Sequence, residues 1–319
     1  MTSALDPELA AAMERLAADG WLPITRPEVA EARRNYRDLA LVRRGTDEVP
    51  VAAVHDDVVT GPDADVVVRV YTPEQARKVT VVWLHGGGWV VGDLDTADAA
   101  ARRVSRTLGA TVVSVDYRLA PEHPHPAPLM DAHAALRWAS GRFGGRLVVG
   151  GDSAGAGIAA GAALLARDWG PQLDAQLLLY PGLDPTMSHP SITENADGPF
   201  LTAADMRWFW ERYVPAEARL DPSVNLGEAA RLAELAGLAP AVVATARFDP
   251  LRDEGLAYAE AMGAAGVPVR VLHGEGLVHG YFGLGTVSAA ARAEGDRALE
   301  ALAELLAAPG PAPRGDELT

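Results

Sequence analysis

The stretch Leu147-Val148-Val149-Gly150-Gly151-Asp152-Ser153-Ala154-Gly155 runs from an apolar segment through a glycine-framed serine into small residues that continue to Ala166. The apolar segment Leu147–Val149 reads as a strand, and the small-residue segment Ala154–Ala166 reads as a helix. Between them, Gly151-Asp152-Ser153-Ala154-Gly155 has the Gly-x-Ser-x-Gly form. That form holds a serine on a sharp strand-to-helix turn, with its hydroxyl exposed at the end of a sheet. The turn brings the backbone close to the next helix, so residues without a Cβ flank the serine.

Upstream, the apolar run Val79–Leu84 ends in His85-Gly86-Gly87-Gly88-Trp89. A glycine-rich loop can offer bare backbone N–H groups, and such donors stabilise the negative oxygen of a tetrahedral intermediate. A serine nucleophile and an oxyanion loop together point to acyl transfer. Gly87 and Gly88 are the expected upstream donors, and the N–H of Ala154 is the third. His85 is expected to fix the loop by hydrogen bonding, and Asp152 to tie down the turn.

The same alternation extends in both directions. Val66–Tyr71, Thr111–Val115, Gln176–Tyr180, Ala241–Ala246 and Val267–Leu272 read as strands, and segment 51–59 as an edge strand. Several are continuously apolar, which suits strands buried on both faces of a parallel sheet. Helical patterns separate them at 95–108, 127–139, 154–168, 251–264 and 286–307. Two further helices precede the sheet, at residues 5–18 and from Pro27 to about Arg44. The class is therefore α/β, a mostly parallel sheet wrapped by helices.

Region 185–235 interrupts this order. It carries Pro185, Pro190 and Pro199, then Phe200, Trp208, Phe209, Trp210 and Tyr213. It reads as a helical insertion over the sheet. Its aromatic residues either line an acyl pocket or pack the insertion, and the sequence favours neither. The Pro/Gly-rich end, 309–319, is expected to be mobile.

A chain of 319 residues, 49% hydrophobic and 22% charged, is sized for one large domain or two small ones, and the continuous alternation favours one. The net charge of −15 argues against nucleic acid and acidic membranes as partners. There is no cysteine, which excludes disulfides, thiolate metal sites and a cysteine nucleophile. No apolar run approaches 18 residues, so no spanning helix is expected. Met1 to Asp6 lacks the pattern of a signal peptide, and Asp316-Glu317-Leu318-Thr319 is not a retention signal; the expected location is the cytoplasm. His123-Pro124-His125 has no evident acidic partner for a metal, and no phosphate-cradling glycine loop opens the sheet. No cofactor is expected.

A serine hydroxyl needs an adjacent base. In this architecture the chain order is serine, acid, histidine. Only His189, His273 and His279 follow Ser153. His279 lies in Gly276–Phe282, read as a loop beyond a strand's C-terminal end, where α/β sheets present catalytic groups. It is the expected base, with His273 its rival. Asp249 closely follows strand Ala241–Ala246 and is the expected acid, which would fix the imidazole tautomer. Asp253 and Glu254 compete with it, although Asp253 falls in the next helix, placed to pair with Arg252. Asp116–Glu122 is read as an ion-paired loop bracing the site.

With these residues assembled, the chain resembles the hormone-sensitive-lipase-like bacterial carboxylesterases of the α/β-hydrolase fold. The likeness covers about residues 25–307. It rests on His85–Trp89, Tyr117-Arg118-Leu119-Ala120-Pro121-Glu122, Gly151–Gly155, Asp249-Pro250-Leu251 and His279-Gly280. It implies a triad of Ser153, Asp249 and His279, and oxyanion amides at Gly87, Gly88 and Ala154. It also implies a cap built from about 1–45 and 185–235. Short- to medium-chain acyl esters are the implied substrates, no cofactor is implied, and a homodimer through the sheet edge is a candidate assembly. His125, where an aromatic residue is usual, and Asp221–Leu226 depart from the family pattern and bear on pocket shape. The rival readings are a non-catalytic small-molecule receptor of the same fold and an acyltransferase or amidase using the same triad.

Overall fold

The structure is a computed structural model that describes residues 4–18, 28–44, 49–221, 224–227 and 235–308. The apolar runs form one eight-stranded sheet. Its strands are β1 (Ala53–Thr60), β2 (Asp65–Thr72), β3 (Val79–Leu84), β4 (Thr111–Val115), β5 (Arg146–Asp152), β6 (Ala175–Leu179), β7 (Ala241–Phe248) and β8 (Val269–Val278). Their order is β1-β2-β4-β3-β5-β6-β7-β8. β1 and β2, and β2 and β4, run antiparallel; every other neighbouring pair is parallel.

The helices are α1 (Pro7–Ala18), α2 (Val29–Arg44), α3 (Leu94–Leu108), α4 (Ala127–Arg142), α5 (Ala154–Trp169), α6 (Pro190–Glu194), α7 (Ala203–Tyr213), α8 (Arg252–Ala264) and α9 (Ala289–Ala307). Strand side chains alternate between the two faces. Val82, Leu84, Val113, Val149, Leu178 and Val243 pack with α4, α5 and α8 on one face. Val81, Trp83, Val112, Val148, Leu177 and Val242 pack with α3 and α9 on the other. The central strands are apolar throughout because both faces are covered. β1, at the edge, keeps only Val59 fully buried. Among the described residues no helix is long and apolar enough to cross a membrane.

Several boundaries differ from the sequence reading, and glycine accounts for those of β5 and β8. β5 does not stop at Val149: Gly150 and Gly151 stay in the ladder opposite Trp83 and Leu84. β8 does not stop at Leu272. It continues through Gly274 and Gly276 to Val278, which pairs with Phe248 across an irregularity between Ala246 and Phe248. Residues Gly276–Val278 are therefore strand and not loop, and His279 follows directly. β6 ends at Leu179, and Tyr180 turns away with φ 38°. The last helix begins at Ala289 under a Ser288 cap, after a 3₁₀ turn at Tyr281–Leu284. The insertion supplies α6, α7 and a 3₁₀ turn at Ala216–Ala218, with no strand among its described residues. The Pro27 start of α2 and the tail 309–319 lie outside the described residues.

Candidate active site

The parallel strands aim their C-terminal ends at one region, and the loops leaving β3, β5, β7 and β8 meet there. β5 delivers Ser153 at φ 55°, ψ −122°. The turn is held by Ser153 N–H donating to Leu179 O at 2.8 Å and by Gly182 N–H donating to Ser153 O at 3.3 Å. Glycine is required on both sides. A Cβ at Gly151 would lie 2.4 Å from Leu84 O, and one at Gly155 would lie 2.0 Å from the same atom. α5 starts at Ala154 with no side-chain cap, so its first amides stay open.

His279 Nε2 lies 2.8 Å from Ser153 Oγ, and its Nδ1 lies 2.8 Å from Asp249 Oδ2. A carboxylate at Nδ1 holds the proton on that nitrogen and leaves the Nε2 lone pair facing the serine. Asp249 is fully buried, and its Oδ1 accepts from Leu251 N–H at 2.8 Å. The Tyr180 ring stands edge-on to the imidazole, with centroids 4.9 Å apart.

The glycine loop comes from β3. Gly87 and Gly88 have φ +127° and +57°. A Cβ at Gly87 would lie 2.1 Å from Val91 O, and one at Gly88 would lie 2.2 Å from the Phe209 ring. Within the described residues no hydrogen bond uses the N–H of Gly87, Gly88 or Ala154. Gly86 N–H donates to Asp152 Oδ1 at 3.0 Å, so Asp152 joins the loop to the serine turn. Burial pushes the Asp152 carboxyl up to about 6, against the opposing pull of Gly86 N–H and His279. His85 is buried, its Nδ1–H donates to Gly86 O at 2.8 Å, and its ring stacks on Tyr117 at 4.2 Å. Burial holds its pKa down, so it stays neutral and braces the loop.

The rivals stand elsewhere. His273 lies 2.8 Å from Thr245 Oγ1, and His189 stands 3.8 Å from Asp184. Asp253 pairs with Arg252 at 2.7 Å. Glu254 is buried and accepts from Leu183 N–H at 2.6 Å; burial raises its carboxyl well above the usual range. The 116–122 loop is ion-paired as read: Arg118 with Asp131 at 2.7 Å, and Glu122 with Arg33 of α2 at 2.6 Å. Arg33 also donates to Val90 O and Ala120 O, which ties α2 beside the glycine loop.

Aromatic residues of the insertion pack against Trp89 and the glycine loop. Trp210 and Tyr213 pack on Trp89, the latter stacked at 4.6 Å and 2°. Phe209 lies against Gly88, at the glycine loop itself. A cavity of about 490 Å³ lies between α2, α3 and the turn after His279, and reaches the surroundings of the site at His85, Gly86, Asp152, Tyr180 and Gly280. Sequence reasoning passed over Tyr180, Phe209 individually, and Asn195. Position just past a strand's C-terminal end marks Tyr180; nothing in the local pattern marks Asn195. Among the described residues no three His, Asp or Glu side chains gather as a metal site requires.

A hydroxyl, an imidazole and a carboxylate in one hydrogen-bonded row, on a parallel sheet wrapped by helices, define the α/β hydrolases. The chain belongs to that family, on its hormone-sensitive-lipase-like branch: residues 81–283 match a family model described as alpha/beta hydrolase fold. Esterase LipI of Mycobacterium tuberculosis is 43% identical over 282 residues, spanning 83% of this chain and 88% of the relative. Carboxylesterase NlhH of the same organism is 46% identical over 256 residues, spanning 76% and 79%. The solved structure of a hyperthermophilic esterase from the archaeon Pyrobaculum calidifontis matches with a TM-score of 0.85 at 33% identity, covering 95% of this chain and 98% of that one. The chain is a carboxylesterase, an enzyme that hydrolyses carboxylic esters.

Proposed function

We propose that the chain hydrolyses short- to medium-chain acyl esters through an acyl-enzyme on Ser153, with His279 as base and Asp249 as its acid. The observation that carries this is the row Ser153 Oγ, His279, Asp249 with both links at 2.8 Å. His279 Nε2 takes the hydroxyl proton as Oγ attacks the ester carbonyl. The N–H groups of Gly87, Gly88 and Ala154 receive the oxyanion, and each such donor is worth about 10²- to 10³-fold in rate. The imidazolium, stabilised by Asp249, then protonates the departing alcohol. A water molecule enters, gives its proton to His279 and attacks the acyl carbonyl; the carboxylic acid leaves as Ser153 regains its proton.

Phe209 stands as an aromatic wall against Gly88, and the chain-length reading takes that ring as one boundary of the acyl site. The reading treats α1, α2 and the insertion as a cap over this wall. It also carries a homodimer through a sheet edge, checked by sedimentation, and a cytoplasmic location, checked by fractionation. Ser153→Ala abolishes turnover of p-nitrophenyl butyrate with the circular dichroism spectrum unchanged; full activity in that variant overturns the mechanism. An acyl-length series from acetate to laurate tests the substrate class, and products formed with competing alcohols and amides separate hydrolysis from acyl transfer or amide cleavage.

A further inference from the structure

We propose that Asn195, assisted by Ser191, is a positioning residue that holds the Asp249 loop in register from the insertion. The proposal rests on the reading of Asp249 as the acid of the triad. β7 loses its pairing with β6 after Ala244, and its pairing with β8 is irregular between Ala246 and Phe248. Arg247 therefore falls at the irregularity with no register partner, and the backbone leaves the sheet after Phe248, before α8 begins at Arg252. Its carbonyls need other donors, since an unpaired buried carbonyl is costly.

α8 supplies part of them, since Arg252 N–H donates to Asp249 O at 3.2 Å and Arg252 Nη1 to Arg247 O at 3.3 Å, and the insertion supplies the rest. Asn195 Nδ2 donates to Arg247 O at 3.2 Å and to Asp249 O at 3.1 Å. Ser191 Oγ donates to Pro250 O at 2.7 Å. In return Ser191 N–H donates to Asp253 Oδ2 at 2.8 Å, and Asp253 N–H donates to Ser191 Oγ at 3.1 Å. Arg252 reaches Glu194 at 2.7 Å. On the insertion's side Ser191, Glu194 and Asn195 all belong to α6 or to the residue after it.

Asn195 is 8% exposed and Ser191 is fully buried, so water does not compete for the bonds. The Asn195 backbone is fixed as well: its N–H donates to Ser191 O, and its carbonyl accepts from Gly198 N–H, each at 2.9 Å. A primary amide suits this position because one nitrogen gives two protons to two carbonyls. The acid is thus held at both ends: Leu251 N–H sets its carboxylate, and Asn195 together with Arg252 N–H sets the peptide that carries it. Further along the same insertion, Phe209 touches Gly88, so one segment contacts both the acid's loop and the oxyanion loop.

A double-mutant cycle with p-nitrophenyl acetate tests the proposal. Asn195→Ala lowers kcat about tenfold, with KM within about twofold, because a displacement well below 1 Å at a catalytic group costs rate and not binding. Asn195→Asp, equal in volume but with no amide proton, loses as much. Asp249→Asn alone lowers kcat about 10³- to 10⁴-fold. Adding Asn195→Ala to Asp249→Asn changes kcat by less than about twofold, since the residue acts through the acid. If Asn195→Ala does not fold, Ser191→Ala replaces it in the same cycle. Wild-type kcat in Asn195→Ala, recovery in Asn195→Asp, or an undiminished effect in the Asp249→Asn background overturns the positioning role. Wild-type kcat in Asp249→Asn overturns the acid assignment instead, and the two failures are thereby distinguished.

Discussion

Ser153 sits where a serine is uncomfortable, and replacing it by glycine should make the protein more stable than replacing it by alanine. Its φ of 55° and ψ of −122° match the first central position of a type II′ turn, which glycine occupies freely. Any residue with a Cβ is strained there by about 1–3 kcal/mol. Alanine removes the hydroxyl and its bond to His279 but keeps the strain. Glycine removes both, at a cost of about 0.5–1 kcal/mol in unfolded-chain entropy. The net advantage of glycine over alanine spans about 0–2.5 kcal/mol, centred on about 1 kcal/mol. At about 2.1 cal/mol/K of unfolding entropy per residue over 319 residues, the central value raises the melting midpoint by about 1.5 °C. The pair is compared by scanning calorimetry and by urea unfolding; both variants lack the nucleophile, so activity does not intrude. A Ser153→Gly protein less stable than Ser153→Ala would refute the strained turn, and with it the reading of Gly151–Gly155 as a sharp elbow.

Asp152 gives a pH signature. Its folded pKa is raised by burial from the usual 3.8 to about 6, so between those values the folded chain holds a proton that the unfolded chain releases. Stability therefore falls as pH rises from about 4 to 6, by roughly 3 kcal/mol at about 1.4 kcal/mol per pH unit. Asp152→Asn removes this loss, so its stability gain over wild type in urea is larger at pH 7 than at pH 4; an equal gain at both counts against a buried neutral carboxyl. Gly88→Ala lowers kcat about 10²-fold by displacing an oxyanion donor, and adding Phe209→Ala recovers part of the loss, because the ring clash goes while the φ of +57° remains. Unchanged activity in Gly88→Ala removes that amide from the site. Gly263→Ala, with nothing within 4 Å of the new Cβ, stabilises by about 0.5–1 kcal/mol, whereas Gly155→Ala drives a Cβ to 2.0 Å from Leu84 O and costs stability; paired thermal melts check both.

The buried parallel strands were legible because both faces are covered: Val79–Leu84 and Leu147–Val149 need no alternation to be recognised. Their ends were not. Gly150, Gly151, Gly274 and Gly276 look like loop residues, yet each stays in or beside a ladder where a neighbouring chain passes too close for a Cβ or the strand bends. Ser153, Asp249 and His279 were singled out by local context and chain order, and the three side chains meet in space. Asn195 was not found. Its partners are main-chain carbonyls more than 50 residues away, and no side-chain pattern records such a contact. The insertion's aromatic residues were recognised as a group, but their division between packing Trp89 and facing Gly88 depends on which side of α7 meets the sheet.

The sheet order ends on β8, and β8 leads directly into His279. Outer strands open first when a sheet breathes, since they are bonded to a sheet neighbour on one side. Turnover is then a gauge of how often that outermost strand is seated: fraying that leaves the inner strands folded already separates the imidazole from Ser153. On gradual heating the enzyme should fall silent while most of its ellipticity persists, and regain its activity on cooling from that range. The α1 segment restrains this loss, because Asp6 N–H donates to Gly276 O at 2.9 Å and so adds a bond on the strand's open side.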